Sequence, residues 1–168
     1  MSFAEGTSVT PERSRAELDR LLAKAGSSRR MMGVGDDVGA YCIFHLAGRE
    51  IRLRVPLPSL ESLEPAAGKE PPGWRRKTAE QRRAWVVRQR EQIEKARWRA
   101  LVLICKAKLE IIELGLSTVE REFLADIFLA DGRTVHEVVS APLAEVYLTG
   151  VASTPLLLGP APAKGAVP

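Results

Sequence analysis

The apolar positions near the start of the chain repeat with the period of an amphipathic helix. Thr10 precedes Pro11, a pair typical of a helix start because the hydroxyl caps the first N–H groups and proline has no N–H to leave unsatisfied. Gly26 ends the pattern. The sequence therefore predicts a short helix with one apolar face. That face comprises Leu18, Leu21, Leu22 and Ala25.

Three extended segments follow, and each is separated from the next by a short turn that contains glycine. In the last of them the apolar residues alternate with Arg52 and Arg54, which places both arginines on the outward face of a strand. We therefore expect an antiparallel meander with one apolar face. Residues 56–73 hold five of the 11 prolines and predict a surface loop. The three extended segments are Arg30–Val34, Val38–Leu46 and Glu50–Val55.

The longest helical pattern of the chain comes next. Thr78 and Gln81 have capping-box spacing, so we expect regular helix from Ala79 to just before Gly115. About 37 residues would span roughly 55 Å, so the helix either projects from the domain or breaks near residues 88–92. We interpret its apolar stripe, above all from Ala100 onward, as the spine of the core. The stripe comprises Val86, Ile93, Ala96, Ala100, Leu103, Ala107, Ile111 and Leu114.

The rest of the chain predicts short helices around a turn. Ser117 or Thr118 caps the first of these helices. The sequence Asp131-Gly132-Arg133 is typical of a tight turn. Thr134 then either belongs to an extra strand or hairpin, or caps a last helix that ends at Gly150.

These elements predict one α+β domain: an N-terminal helix, a three-stranded meander, a long central helix and short helices. We place the domain at residues 10–150, with 56–73 as its loop. Residues 1–9 and the proline- and alanine-rich tail 151–168 are expected to be flexible.

Charge is distributed unevenly along the chain. The net charge is +4 overall, but the segment from Arg75 to Lys108 holds 12 basic and three acidic residues, a net charge of +9. The remainder therefore carries −5. This segregation favours an acidic partner surface over a general role in solubility.

Composition bears on where the protein acts. No run reaches the roughly 18 apolar residues that a membrane helix needs, and the first residues have no features of a signal peptide. Cys42 and Cys105 both lie in apolar surroundings and are expected to be reduced, buried thiols. We expect a cytoplasmic protein that contacts no membrane.

The sequence contains no catalytic signature. His45 falls inside a strand and His136 at a helix start, and neither lies near residues with metal-ligand or nucleophile spacing. Asp36 and Asp37 lie between glycines, as in a turn. We expect no cofactor, no metal and no catalytic residue, although an enzyme with an unfamiliar site remains an alternative. A nuclease-type acid cluster is a weaker interpretation of Glu110, Glu113, Glu120 and Glu122 than a solvated face.

The basic segment is the candidate site. Ten positive charges within 25 residues suit salt-sensitive binding to phosphates, and tryptophans among them suit base stacking. Two alternatives stand beside this hypothesis: the charges form a solvated face, and Trp85 and Trp98 anchor the helix to the core. The predicted nucleic-acid-binding residues are Arg52, Arg54, Trp74, Arg75, Arg76, Lys77, Arg82, Arg83, Arg88, Arg90, Arg97 and Arg99.

Several short segments resemble a group of small phage and prophage proteins of unknown function. The resemblance implies a phage-encoded accessory protein in a bacterial cytoplasm, and it carries no activity or site with it. The segments are Thr7–Val9, Ser14–Leu18, Leu21-Leu22 with Gly26, Gly48-Arg49 with Ile51-Arg52, Arg97–Leu101, Lys106–Glu110, Glu122–Leu124 and Asp131–Val135.

The leading hypothesis is a non-enzymatic accessory protein that binds nucleic acid, DNA rather than RNA, through its basic helix. One alternative is a protein-interaction module, a host-takeover or anti-defence factor, whose basic helix covers an acidic protein surface. Another is a homo-oligomeric structural protein that buries the stripe from Ile93 to Leu114 against its own copy.

Overall fold

The computed structural model describes residues 4, 6–35, 39–67 and 78–150 of the chain. Their order confirms the predicted α+β class, with an N-terminal helix, a three-stranded antiparallel sheet, a long central helix and short helices after it. The elements are α1 (Pro11–Lys24), β1 (Arg30–Gly35), β2 (Gly39–Leu46), β3 (Arg49–Val55), α2 (Leu60–Ala67), α3 (Ala79–Glu113), α4 (Val119–Phe123), a 3-10 turn (Leu124–Asp126) and α5 (Val135–Thr149).

Helix α1 begins where the sequence predicts it. The Thr10 hydroxyl accepts a hydrogen bond from the Arg13 N–H at 3.3 Å, and Pro11 is the first helical residue. Leu18 and Leu22, one turn apart, are fully buried. The predicted apolar face is therefore the face that packs into the core.

The sheet is a meander in the order β1-β2-β3, with both neighbouring pairs antiparallel. Cys42 lies opposite Met32 on one side and Leu53 on the other, so these three side chains share a face. Alternate residues of β2 and β3 are buried on that face, and it forms the floor of the core. The other face carries Arg52 and Arg54, as predicted.

Helix α2 lies within the stretch predicted to be a loop, so the prediction for residues 56–73 is wrong over Leu60–Ala67. The Ser59 hydroxyl accepts a hydrogen bond from the Ser62 N–H at 3.1 Å and caps the first turn. The helix packs along the N-terminal half of α3. The prolines of this stretch favoured the loop prediction, but the Ser59 cap and the packing against α3 stabilise a helix here.

Helix α3 is continuous for 35 residues, roughly 50 Å, with no break near residues 88–92. The predicted capping box is present: the Thr78 hydroxyl accepts from the Gln81 N–H, and the Gln81 side chain accepts from the Thr78 N–H. The Arg90 side chain donates to the Pro58 carbonyl at 3.3 Å and ties the middle of α3 to the chain before α2. No helix in the described part of the chain is long and apolar enough to cross a membrane.

The core-facing side of α3 differs from the predicted stripe. Trp98, Leu101, Val102 and Cys105 are buried against α1 and the sheet. Of the predicted stripe only Val86 is buried; its other members lie on the opposite side of the helix or are only partly covered. The block from Ala100 to Cys105 is apolar on every side, so its periodicity could not identify the face that Trp98 fixes.

The C-terminal elements close the remaining side. Thr118 rather than Ser117 caps α4, and Thr134 forms a second capping box with Glu137 at the start of α5. The extra strand is reduced to two isolated bridges, Ile51 with Ile127 and Phe128 with Thr134. Four predicted regions lie wholly or partly outside the described residues: residues 36–37 of the turn, 1–3 and 5 of the N-terminal segment 1–9, 68–73 of the loop 56–73, and the tail 151–168.

Gly39 begins β2 and Gly48 lies in the turn after it, and the two differ in how closely other atoms surround them. Gly39 and Gly48 both have positive φ, +73° and +74°. A Cβ at Gly39 would lie 2.5 Å from the Val55 carbonyl oxygen, whereas a Cβ at Gly48 would meet nothing within 4 Å. Gly48→Ala should cost about 1–2 kcal/mol for the left-handed backbone. Gly39→Ala should cost about 1–3 kcal/mol more because backbone atoms must shift. Urea unfolding of both variants measures the difference, and equal losses would contradict this packing.

Candidate nucleic-acid interface

The arginines of the candidate site divide into paired and unpaired groups. Arg99, on the core half of α3, donates to the Glu17 carboxylate of α1 at 2.6 Å. Arg54, on β3, lies 3.4 Å from the Glu137 carboxylate of α5. These two arginines hold elements of the domain together, and their charge is compensated within the chain.

Arg52 is held by an aromatic ring. Its guanidinium carbon lies 3.8 Å from the centroid of the Phe128 ring, a cation–π contact. Its Nε is buried and has no hydrogen-bond acceptor among the described residues. Arg52 therefore fastens the segment after the 3-10 turn to the sheet.

The sheet arginines and the α3 arginines do not form one surface. Helix α3 packs on the face of the sheet that carries Ile51 and Leu53. Arg52 and Arg54 alternate with these residues and therefore point from the other face. The structure thus separates two groups of residues that the sequence placed in one site.

A second group, on the N-terminal half and at the middle of α3, has no such partners. Arg82, Arg83 and Arg88 are exposed and Arg97 is half-buried. Within the described residues none of the four has a carboxylate oxygen within 4.0 Å, although Glu80, Glu91 and Glu94 are on the same helix. This half of α3 packs against α2 and carries uncompensated positive charge.

These free charges surround the helix instead of forming a single line. On ideal geometry Arg88 lies roughly 120° from Arg82 and roughly 140° from Arg83 around the axis. Such a helix can meet phosphates on several sides, as it would when lying in a groove or between two strands. Arg75, Arg76 and Lys77, which would extend the charge, lie outside the described residues, as does Trp74.

The tryptophans separate in the same way. Trp98 is 0% exposed and is part of the core, with the Arg15 guanidinium 5.5 Å from its ring centroid. The alternative that Trp98 anchors the helix is therefore confirmed, and it offers no ring to a base. Trp85 is half-buried on the basic half of α3.

The predicted absence of familiar catalytic groups can be compared with the geometry. His45 lies 3.1 Å from Glu50 across a strand pair, and His136 is exposed, with Ser140 one turn away donating to its backbone carbonyl. No group of three or more His, Cys, Asp or Glu residues in the described ranges is arranged to hold a metal ion. Asp36 and Asp37 lie outside those ranges.

The four glutamates near the end of α3 do not form one cluster. Two of them pair with basic residues: Glu113 lies 3.3 Å from Lys24 and Glu120 lies 3.7 Å from Arg49. Glu122 accepts a hydrogen bond from the Ser117 hydroxyl at 2.6 Å. Separate partners of this kind fit the solvated-face interpretation.

A cavity of about 410 Å³ between α1, the end of β2 and the C-terminal part of α3 was not expected from the sequence. Leu21, Leu46, Leu109 and Ile112 line it, and Lys24 stands at its edge. Because its walls come from distant parts of the chain, no local motif could have indicated it. Of its polar lining residues, Lys24 and Glu113 form an ion pair at 3.3 Å.

The two cysteines are buried, free thiols, as predicted. Burial raises the pKa of Cys105 to about 12. Burial, with the neighbouring Cys105 and Asp19, also raises the pKa of Cys42 well above its ordinary value. Thiols with a raised pKa are poor nucleophiles, since the thiolate is the reactive form.

Comparisons with protein-family models, with curated proteins and with solved structures find no match to this chain. The candidate interface therefore rests on the charge and geometry of the chain itself.

The thiol environments give a direct test. At about pH 8 the folded protein should show no rapid reaction with an aromatic disulfide reagent, because both pKa values are raised. In denaturant two thiols should react at once, and one in Cys42→Ala. Fast reaction of a thiol in the folded chain would contradict the buried positions of Cys42 and Cys105.

Proposed function

We propose that this chain is a non-enzymatic accessory protein that binds nucleic acid, DNA rather than RNA, through the N-terminal half of α3. The resemblance described above suggests a phage or prophage origin and action in the bacterial cytoplasm. The observation that carries the proposal is the contrast between paired and unpaired arginines. Arg54 and Arg99 have carboxylate partners, whereas Arg82, Arg83 and Arg88 have none among the described residues.

The unpaired arginines would act on the phosphate backbone. Each guanidinium that contacts a phosphate releases condensed counterions, and this release drives binding that weakens as salt rises. Arginine also makes two parallel hydrogen bonds to one phosphate, which fixes the helix against the backbone. Binding of this kind positions the protein without reading base sequence.

The proposed surface is narrower than the predicted one. Arg52 and Arg54 lie on the far face of the sheet, and Arg99 is bound to Glu17, so we leave all three out of the interface. Arg90 is also left out because its side chain donates to the Pro58 carbonyl. Arg82, Arg83, Arg88 and Arg97 remain, and we propose that residues 74–77 extend them. Trp85 is the described aromatic residue that stands closest in sequence to these charges.

Two triple variants with equal charge loss test the proposal. Arg82→Gln, Arg83→Gln and Arg88→Gln remove unpaired charges. The control, Arg49→Gln, Arg54→Gln and Arg133→Gln, removes exposed arginines that have acid partners. We expect the first variant to lose about tenfold or more in DNA affinity and to lower the salt slope of log Kd by about 2–3. The control should keep both, because its carboxylates already neutralise the arginines in the folded chain.

Fluorescence anisotropy with labelled single- and double-stranded DNA, starting at about 50 mM salt, measures both quantities. Equal losses in the two variants would show that only net charge matters. No binding by the wild-type chain at micromolar concentration would overturn the proposal. Capture of a host protein that survives nuclease treatment and is lost in the Arg82/Arg83/Arg88 variant would assign the same surface to an acidic protein instead.

A further inference from the structure

Helix α3 has a second apolar face in addition to the one in the core. Eight apolar positions, which we call the outward stripe, lie roughly 160° around the helix axis from the core residues Trp98, Leu101, Val102 and Cys105. The outward stripe consists of Ile93, Ala96, Ala100, Leu103, Ile104, Ala107, Ile111 and Leu114.

Helix α2 lies near this side of α3 only farther toward the N-terminus, around Val86, and the other described elements pack on other sides of the helix. None of the eight residues belongs to the core or to the partly buried side chains that pack against it. Ile104 is 50% exposed and Leu114 is 63% exposed. Ala107 is also exposed, and the other five residues of the outward stripe are partly buried. Contacts of Arg99 with α1 and of Lys108 with the α4 region mark the two flanks of the helix, and the outward stripe lies between them on the side away from the sheet.

The stripe has the spacing of a helix–helix seam. Ile93, Ala100, Ala107 and Leu114 repeat every seven residues, the period at which one helix keeps the same face toward another. Alanines within the stripe leave room for a second backbone to approach, and large side chains at its ends and centre can fill the space beside it.

The outward stripe has a similar spacing of apolar residues when it is read in reverse, which suits an antiparallel pair of identical helices. Around a two-fold axis between Leu103 and Ile104, each position meets one equally far from the centre on a second, antiparallel helix. Ala100 then lies level with Ala107, and Ala96 lies level with Ile111. Each of the two pairs between the centre and the ends contains at least one alanine. Two large side chains therefore lie level only at the centre and at the ends of the stripe. The list of level pairs is Ile93 with Leu114, Ala96 with Ile111, Ala100 with Ala107 and Leu103 with Ile104.

Charge selects the antiparallel direction. In a parallel pair the unpaired Arg82, Arg83 and Arg88 of both copies would lie side by side and repel each other. In the antiparallel pair the two basic halves lie roughly 55 Å apart along the axis.

We propose that the outward stripe binds the same stripe of a second copy of this chain, forming an antiparallel two-fold dimer. This inference does not depend on the proposed nucleic-acid function, because the outward stripe contains none of the arginines of that interface. If both hold, the dimer presents two basic helix ends that face away from each other, and two such sites on one nucleic acid would bind with avidity.

The oligomeric state gives the first test. Light scattering from low to high micromolar concentration should show a mass of twice 18.4 kDa. Ile104→Lys should return the mass to one chain. The matched control is Met31→Lys on β1, since Met31 is 54% exposed and lies away from α3; it should remain a dimer. A wild-type chain that stays monomeric, or dimers that Ile104→Lys leaves intact, would overturn the proposal.

Cross-linking gives the second test and does not depend on the mass of a charged variant. Ala100→Cys together with Ala107→Cys should form a disulfide-linked dimer on mild oxidation, because each new thiol faces the other position of the second copy. Ala100→Cys alone should link poorly. The native thiols of Cys42 and Cys105 are buried and should not form a disulfide between copies. Strong linking by the single variant would indicate a parallel pair and overturn the antiparallel arrangement.

DNA binding and dimer formation are measured on separate variants, so one can fail without the other. Loss of DNA binding in a chain that remains dimeric would reject the proposed function alone. A monomer that binds DNA with the expected salt slope would reject the dimer alone.

Discussion

The packing of Trp98 against α1 and the sheet fixes the orientation of α3, and most of the molecule depends on that orientation. The indole is fully buried, and burying an aromatic side chain of this size contributes more than any single surface contact. Once Trp98, Leu101, Val102 and Cys105 face the sheet, every other residue of this continuous helix has a determined direction. Arg99 reaches Glu17, Lys108 reaches the α4 region, and the outward stripe lies on the side away from the sheet. The N-terminal half packs against α2, and its Gln92 side chain donates to the Thr7 carbonyl.

This arrangement gives one helix two different surfaces. Toward its N-terminus α3 is basic on several sides, and its arginines have no carboxylate partners in the described chain. Toward its C-terminus the basic residues are drawn into contacts with the domain: Arg99 with Glu17, and Lys108 with Asp126 and the Phe123 ring. Counting charges along the sequence treats these arginines and lysines as equal. Their partners show that only part of the charge is free for another molecule.

Elements that are specified locally could be predicted from the sequence. The threonine caps at Thr10, Thr78 and Thr134 bind backbone N–H groups three residues away, so they can be seen in the sequence. Alternation in β3 correctly separated Ile51 and Leu53 from the arginines. The predictions that failed depend on contacts between residues far apart in the sequence. The core face of α3 could not be predicted without knowing what Trp98 packs against. Helix α2 could not be predicted without its contact with α3. Pairing of Arg54 and Arg99 with acids 83 and 82 residues away could not be read from spacing. The candidate site was therefore predicted as one surface, whereas it is divided between two sides of the domain.

The position of α3 in the chain also governs the order in which the domain can assemble. The meander is local, since each strand pairs with the next one along the chain. The helix that covers its apolar face begins only at Ala79, and its core residues start at Trp98. During synthesis from the N-terminus, the apolar faces of α1 and the sheet therefore remain exposed after β3 is complete, until more than 40 further residues have been made. A newly made chain thus exposes Leu18, Leu22, Phe44 and Ile51 for a period in which it depends on slow long-range closure, and this interval is when the protein is most open to aggregation or to chaperones.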